Sequence, residues 1–243
     1  MQAPAATQPA SAREAPGQAT TMHERVRPGE ERLAPYASRT GLRGLLYLPP
    51  RHGAEPDRRW PLVLSLHGAG ERGSDLELVK VHGIPRRIVE GRDFPFIVIA
   101  PQCPALARWQ PDQLLALLDE IDATHAVDPD RVYVTGISMG GFGTWALAIA
   151  APDRFAAIVP ICGGGNPDQV CRIAHVPVWA FHGALDDVVP RQYSDEMVEA
   201  LRACGGNVRY TVYPHAGHDS WTETYENPEL YAWLLAQVRS RVP

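Results

Sequence analysis

Apolar runs and amphipathic helical patterns alternate along most of this chain, and the alternation restricts its fold more than any other feature. Continuous apolar runs bounded by turn residues are typical of strands that are covered on both faces, as in a parallel sheet. The sequence predicts strands at residues 44–48, 62–66, 96–100, 132–135, 157–161, 178–181 and 208–213.

Helical patterns separate these runs. In residues 112–125, Leu114, Leu117, Leu118 and Ile121 recur at the spacing of one helix face. Further helices are predicted at residues 139–151, 193–203 and 229–238. Alternating β and α elements predict an α/β fold, with a mostly parallel, doubly wound sheet flanked by helices on both faces.

The chain divides into a tail and one predicted domain. Residues 1–35 are rich in Ala, Pro, Gln and Thr, and such a composition predicts a disordered segment. Residues 36–243 contain enough apolar material for a single domain. Because the tail has no basic segment followed by an apolar one, it is not an intact signal peptide. We interpret it as the remainder of an exported precursor, periplasmic or secreted, with a cytoplasmic protein as the alternative.

Charge and cysteine content exclude several classes of function. The net charge is −5, whereas general nucleic-acid binders carry a basic face, so no nucleic-acid partner is expected. No apolar stretch approaches the roughly 18 residues that span a bilayer. The cysteines Cys103, Cys162, Cys171 and Cys204 match no zinc pattern, so no metal is expected. A bridge between Cys162 and Cys171 and a role as buried hydrophobes both stay open.

The segment Gly136-Ile137-Ser138-Met139-Gly140 lies between a predicted strand and a predicted helix. In that position a G-x-S-x-G sequence is typical of a nucleophile elbow, a turn so sharp that the residues flanking the serine must lack bulky side chains. The serine would then lie at a helix N-terminus, where backbone amides favour an anion. Ser138 is therefore the candidate nucleophile.

A serine hydroxyl needs a base and an acid that orients the base. Asp186 follows the predicted strand at residues 178–181, and His218 follows the one at residues 208–213, in the chain order expected after a nucleophile elbow. Spacing alone leaves Asp187 as an alternative acid and His215 as an alternative base.

A glycine-rich loop follows the strand at residues 62–66 and is the candidate oxyanion hole. Acyl transfer places negative charge on the former carbonyl oxygen, which needs preorganised donors. One donor is the backbone N–H of Met139. The other is the N–H of Ala69, with Gly70 as the next candidate. Glu71 and Arg72 can pair with each other and brace the loop.

At these positions the chain resembles the α/β-hydrolase superfamily, and within it small bacterial esterases and predicted peptidases, described as phospholipase/carboxylesterase-like. They are related to feruloyl and acetylxylan esterases and to dienelactone hydrolase. The resemblance spans about residues 40–240 and implies a triad of Ser138, Asp186 and His218, with Ala69 and Met139 as oxyanion donors. The segments that carry it are residues 66–73, 80–85, 100–104, 136–145 and 217–221.

Further residues are candidates for substrate binding. The resemblance implies that His82, Gln102 and Trp109 lie near the substrate groove, and a structural role for each is the alternative. Gly70 is a candidate because a glycine lets the main chain approach a substrate closely. Trp221 and Trp109 are aromatic residues that can line a cleft or belong to the core.

Between the predicted strands at residues 157–161 and 178–181 the chain is too short for a cap domain, so an open cleft is expected. The sequence therefore predicts a serine carboxylester hydrolase for short-chain, acetyl or hydroxycinnamoyl esters, like a feruloyl or acetylxylan esterase. Its substrate would be a small-molecule or polysaccharide-linked ester, and no cofactor is expected. The alternatives are a serine peptidase or amidase and a binding protein that retains the fold.

Overall fold

A computed structural model describes residues 1, 32–55 and 57–239 of the chain. The predicted disordered tail at residues 1–35 therefore lies almost entirely outside the described residues. The first strand begins at Ala34, just before the predicted start of the domain.

The described residues form one eight-stranded sheet with the order β1-β2-β4-β3-β5-β6-β7-β8. β1 and β2 pair antiparallel with each other, and β2 pairs antiparallel with β4, whereas all other neighbours are parallel. The strands are β1 (Ala34–Ala37), β2 (Arg43–Tyr47), β3 (Trp60–Leu66), β4 (Ile97–Gln102), β5 (Val127–Ile137), β6 (Ala157–Ile161), β7 (Val178–Gly183) and β8 (Val208–Tyr213).

Helices cover both faces of this sheet. They are α1 (Gly83–Val89), α2 (Pro111–Thr124), α3 (Met139–Ala150), α4 (Gln192–Ala203), α5 (Trp221–Glu226) and α6 (Pro228–Ala236). Side chains of α2, α3 and α4 share one core with half of the strand residues, and side chains of α1, α5 and α6 share a second core with the other half. The predicted α/β fold with a mostly parallel, doubly wound sheet is thereby confirmed.

The alternation of strand side chains explains the continuous apolar runs. In β3, Leu62 and Leu64 enter the core beneath α2 and α3, whereas Val63 enters the core beneath α1. A strand covered on both faces needs apolar residues at every position, and all seven residues of β3 are buried. In α2, the four leucine and isoleucine residues predicted to share one face are all buried.

Between β6 and β7 the described chain contains only a 3₁₀ turn, Pro167–Ile173, and forms no separate cap domain. Within residues 32–55 and 57–239, no second domain covers the edge of the sheet at which the parallel strands end. Among the described residues, no helix is both long enough and apolar enough to cross a membrane.

The suggested bridge between Cys162 and Cys171 is wrong. The disulfide joins Cys171 in the 3₁₀ turn to Cys204, which directly follows α4. Cys162 is a free, fully buried thiol at the end of β6, and Cys103 is also free and buried. The first pairing failed because nearness in sequence does not predict that the 3₁₀ turn packs beside the C-terminus of α4.

Candidate active site

Ser138 lies between the end of β5 and the start of α3 with a φ of 51° and a ψ of −115°. A positive φ is strained for a residue with a side chain, and the surrounding structure must hold it in place. Its N–H donates a 2.9 Å hydrogen bond to Ile161 O and lies 3.3 Å from Cys162 Sγ. The neighbouring strand β6 thus fixes the backbone of the candidate nucleophile.

The two glycines of the elbow are required by close backbone contacts. A Cβ on Gly136 would lie 2.3 Å from Gly140 O, and a Cβ on Gly140 would lie 2.2 Å from Leu66 O. Both distances are shorter than atoms can approach without a shift of the backbone. The spacing of this motif therefore follows from the packing of α3 against β3 and β5.

Side chains from three separate strand ends meet beside the elbow. His218 Nε2 lies 3.0 Å from Ser138 Oγ, and His218 Nδ1 lies 2.8 Å from Asp186 Oδ2. The Asp186 side chain is completely buried, whereas the His218 side chain is 19% exposed. The alternatives that spacing left open, Asp187 and His215, are both exposed.

The loop after β7 holds the Asp186 carboxylate in one orientation. Oδ1 accepts hydrogen bonds from the N–H groups of Val188 (3.0 Å) and Val189 (2.9 Å), and Oδ2 lies 3.1 Å from His182 Nε2. Burial alone would raise the pKa of Asp186, but the hydrogen bonds from His218 and from the two backbone N–H groups outweigh it and hold that pKa below its ordinary value. The carboxylate is therefore ionised at neutral pH.

His182 connects the acid to the rest of the fold. Its ring is fully buried, with Nδ1 2.7 Å from Ser194 Oγ and Nε2 2.9 Å from Val189 O. Ser194 Oγ donates to Gly163 O at 2.7 Å. The acid loop, the loop after β6 and α4 are thus linked by side-chain hydrogen bonds.

The candidate oxyanion donors belong to two separate segments of the chain. Met139 is the first residue of α3, so its N–H has no partner within the helix. Ala69 is exposed in the loop after β3. That loop packs on the elbow, because a Cβ on Gly140 would also lie 2.8 Å from His67 O.

His67 sets the direction of the Ala69 amide. His67 Nε2 accepts the N–H of Cys103 at 2.9 Å, so Nδ1 carries the proton and donates to Gly68 O at 2.6 Å. In a trans peptide the C=O and the following N–H point in opposite directions. Because Gly68 C=O points at His67, the N–H of Ala69 points away from it. Burial lowers the pKa of His67 to about 4, which keeps the ring neutral near pH 7.

The side chains of Arg72 and Trp109 also hold this loop. Arg72 contacts backbone carbonyls and not Glu71, so the expected pairing of Glu71 with Arg72 is wrong. Arg72 Nε donates to Ala69 O at 2.9 Å and Arg72 Nη1 donates to Ala107 O at 3.2 Å. Trp109 Nε1 donates to His67 O at 3.1 Å, and the Trp109 ring is almost fully buried.

The contacts of Gln102 and Trp109 are thus structural. The resemblance implied that both lie near the substrate groove, with a structural role as the alternative. Gln102 is buried, and its Nε2 donates to Glu71 O at 2.9 Å and to Asp75 O at 2.7 Å. Trp109 packs against Gly143, where a Cβ would lie 2.9 Å from the ring atom Cδ1. Gly70, in contrast, is exposed beside Ala69.

Trp221 contacts the His218 ring, and His82 contacts Trp221. The Trp221 ring stands perpendicular to the His218 ring at a centroid distance of 5.2 Å, and the His82 ring lies 5.3 Å from Trp221. His82 Nε2 is 3.9 Å from Glu71 Oε1. These contacts restrict the His218 ring, and they connect it to the loop after β3.

Within the described residues, one set of three side chains has the donors that could hold a metal ion. The ligand atoms of Cys162, Asp186 and His218 lie within 4.8 Å of one another. Burial strongly raises the pKa of the Cys162 thiol, so this ligand is protonated and a poor metal donor. Asp186 and His218 are already bonded to each other. The hydrogen-bonded chain explains these residues better than a metal site does.

Sequence reasoning missed the contact between the N–H of Ser138 and Cys162 Sγ, as well as the role of His67 in orienting a peptide. Both depend on the packing of separate segments. The histidine that opens the loop after β3 was visible, but nothing local showed which carbonyl it would contact.

The sequence is similar to one family model and to several known proteins. Residues 107–231, about half of the chain, match the model of the dienelactone hydrolase family. The chain is 30% identical over 213 residues to the poly(3-hydroxyoctanoate) depolymerase of Pseudomonas fluorescens, covering 74% of this chain and 75% of that protein. It is 32% identical over 121 residues to poly(3-hydroxyalkanoate) depolymerase C of Paucimonas lemoignei, covering 43% of this chain and 28% of that protein.

Among solved structures, the crystal structure of a thermostable esterase superposes with a TM-score of 0.72 at 37% identity, covering 85% of this chain and 63% of the other. The chain spans about half or less of the length of several curated relatives.

Proposed function

Because the chain belongs to the dienelactone hydrolase family, we propose that it is a serine carboxylester hydrolase that acts through an acyl-enzyme. The observation that carries the proposal is the continuous chain from Ser138 Oγ to His218 Nε2 and from His218 Nδ1 to Asp186 Oδ2. Such a chain is the arrangement that converts a weak hydroxyl nucleophile into a reactive one.

In the acylation half-reaction, Ser138 Oγ attacks the ester carbonyl while His218 Nε2 takes the hydroxyl proton. Asp186 stabilises the imidazolium that forms. The carbonyl oxygen becomes an oxyanion that accepts hydrogen bonds from the N–H groups of Ala69 and Met139. His218 then gives its proton to the leaving alcohol, and the acyl group stays on Ser138.

Deacylation uses the same groups. His218 removes a proton from a water molecule, which attacks the acyl-enzyme, and a second oxyanion forms at the position of the first. Collapse of this intermediate returns the proton to Ser138 and releases the acid. The His218 side chain is 19% exposed, so solvent reaches part of it.

The open edge of the sheet supports a proposal for the class of substrate. With only a 3₁₀ turn between β6 and β7, the cleft suits acetyl, other short-chain or hydroxycinnamoyl groups on bulky alcohols such as polysaccharides. Long acyl chains need an enclosed apolar pocket and suit this cleft poorly. The two named depolymerases act on polyesters by their names, which supports ester hydrolysis as the general reaction.

The test is pre-steady-state hydrolysis of p-nitrophenyl acetate. The proposal predicts a burst of about one p-nitrophenol per chain, which Ser138→Ala abolishes and the exposed control Ser74→Ala leaves intact. The turnover of matched ester and amide substrates then distinguishes an esterase from the alternative, a peptidase or amidase. Absence of a burst together with unchanged turnover in Ser138→Ala would refute the acyl-enzyme route.

A further inference from the structure

An aromatic pair begins one helical turn after the candidate nucleophile. The Phe142 N–H donates a 3.0 Å hydrogen bond to Ser138 O, so Phe142 is one helical turn after Ser138. Side chains of an α-helix tilt towards its N-terminus and cover the preceding turn. The Phe142 ring is therefore directed towards the end of α3 at which Ser138 lies.

The second ring of the pair comes from the helix that follows the acid loop. Tyr193 is in the first turn of α4, and its ring centroid lies 5.6 Å from that of Phe142 with an angle of 69° between the planes. Edge-to-face pairs of this geometry are favourable, and they leave the face of one ring free for a third. The pair thus connects α3, which begins after Ser138, with α4, which follows the loop that carries Asp186.

Gly164, in the loop after β6, makes this pairing possible. A Cβ on Gly164 would lie 2.8 Å from Tyr193 Cβ and 3.3 Å from Phe142 Cε1. Any side chain at this position would push the two aromatic residues apart. The loop therefore passes beneath the rings as bare backbone.

The pair is accessible from solvent on the edge of the sheet that carries the triad. Tyr193 is 48% exposed, and it is the only aromatic residue among the exposed large hydrophobic side chains of the described chain. Leu185 and Val188, on either side of Asp186, are each 64% exposed. Single exposed apolar residues are common, but these three fall within nine consecutive residues that run from the acid loop into the first turn of α4.

We propose, on the premise of the function proposed above, that Phe142 and Tyr193 form a subsite for an aryl group of the ester substrate. A planar ring can extend the edge-to-face pair, and the Tyr193 hydroxyl can hydrogen-bond a phenolic oxygen on that ring. The aryl group can belong to the acyl part, as in a hydroxycinnamoyl ester, or to the alcohol part, as in a phenyl ester.

The experiment compares methyl 4-hydroxycinnamate, phenyl acetate and methyl butyrate as substrates. Replacing Tyr193 by Ala is expected to lower kcat/KM about tenfold, mainly through KM, for one of the two aryl esters and less than twofold for methyl butyrate. The affected ester shows which part of the substrate carries the ring. Phe142→Leu is expected to act in the same direction, and Tyr193→Phe is expected to affect only the phenolic substrate.

Leu48→Ala serves as the matched control, because Leu48 is exposed at the end of β2, on the opposite edge of the sheet. Labelling of Ser138 by a fluorophosphonate is measured in every variant. An absence of labelling in the wild type would refute the proposed function. Normal labelling of Ser138 leaves the proposed function standing, and the rates for the three esters then decide on the aryl subsite alone. The subsite is refuted if Tyr193→Ala lowers kcat/KM equally for all three esters or for none of them. It is also refuted if the wild type hydrolyses neither aryl ester.

Discussion

Gly183 and Gly217 meet where the candidate acid and base approach each other. A Cβ on Gly183, the last residue of β7, would lie 2.1 Å from Gly217 O. Beside this contact, the Ala184 N–H donates to Tyr213 O at 2.9 Å and the Leu185 N–H donates to Ala216 O at 3.0 Å. Backbone contacts therefore hold the loops after β7 and β8 together, independently of the side chains of Asp186 and His218.

Replacing Gly183 by Ala should displace the loop that carries His218. The added methyl group would overlap backbone atoms, which cannot move aside as a flexible side chain can. We expect a large fall in kcat/KM and a lower melting temperature, measured by ester hydrolysis and thermal unfolding. Gly53→Ala is the control, since a Cβ on Gly53 has no neighbour within 4 Å. Wild-type activity in Gly183→Ala would contradict this account of how the loops are joined.

Asp186 and Asp187 offer a matched pair of substitutions at adjacent positions. Replacing Asp186 by Asn removes the acceptor that fixes the proton on His218 Nδ1, so the ring can adopt the tautomer that cannot accept the Ser138 proton. We expect kcat to fall by about 10³–10⁴-fold. Asp187→Asn, at an exposed position, should change it less than twofold. Equal effects of the two substitutions on kcat would contradict the assignment of the acid.

The pKa of His67 predicts a pH dependence of stability. Below its ordinary pKa of 6.5 the unfolded chain binds a proton at this ring, whereas the folded chain does so only near pH 4. The free energy of unfolding should therefore fall by about 3 kcal/mol as the pH decreases from 6.5 to 4, with no further loss from this group below pH 4.

Urea unfolding at a series of pH values measures this change. His67→Asn should reduce the slope between pH 6.5 and 4. A slope that is the same in wild type and His67→Asn would show that His67 does not titrate as described.

The disulfide should contribute to stability without taking part in the reaction. It closes a loop with a sequence separation of 33 that contains Asp186, and cross-links of this length stabilise by about 3–4 kcal/mol in the chain-entropy model. Replacing Cys171 and Cys204 by Ser should lower the free energy of unfolding by that amount, whereas kcat of the folded enzyme should change little.

A reductant should lower the unfolding midpoint of the wild type to that of the double variant. It should lower the midpoint of the control Cys103→Ala by a similar amount, because that variant keeps the disulfide. If reduction leaves the midpoint of the wild type unchanged, Cys171 and Cys204 are not joined in solution.

Sequence patterns were sufficient for the central elements of the fold. The run at residues 157–161 coincides with β6, which is buried at every position, because buried parallel strands need continuous apolar segments. The run at residues 208–213 coincides with β8, although β8 is an edge strand that is only partly buried. Three short elements were not predicted. β1 and α5 have only four and six residues, and α1 has seven, so none of them contains enough residues to show a period.

The candidate site was only partly predictable for a related reason. The elbow at Ser138 is a local motif, and the order of acid and base follows from strand order. The partner of Cys171, the Ala107 carbonyl held by Arg72 and the hydrogen-bond partners of Gln102 each lie far away in the chain. Such contacts are made by tertiary packing, which a single sequence does not encode as a pattern.

The most direct test of the central claim is mass spectrometry of the folded protein after reaction with a fluorophosphonate. Peptide mapping should place a single phosphonyl adduct on Ser138. The rate of labelling should fall strongly in the His218→Ala variant, because Ser138 then lacks its base. An adduct on a different residue, or an unmodified Ser138 in protein that still hydrolyses esters, would contradict the assignment of the nucleophile.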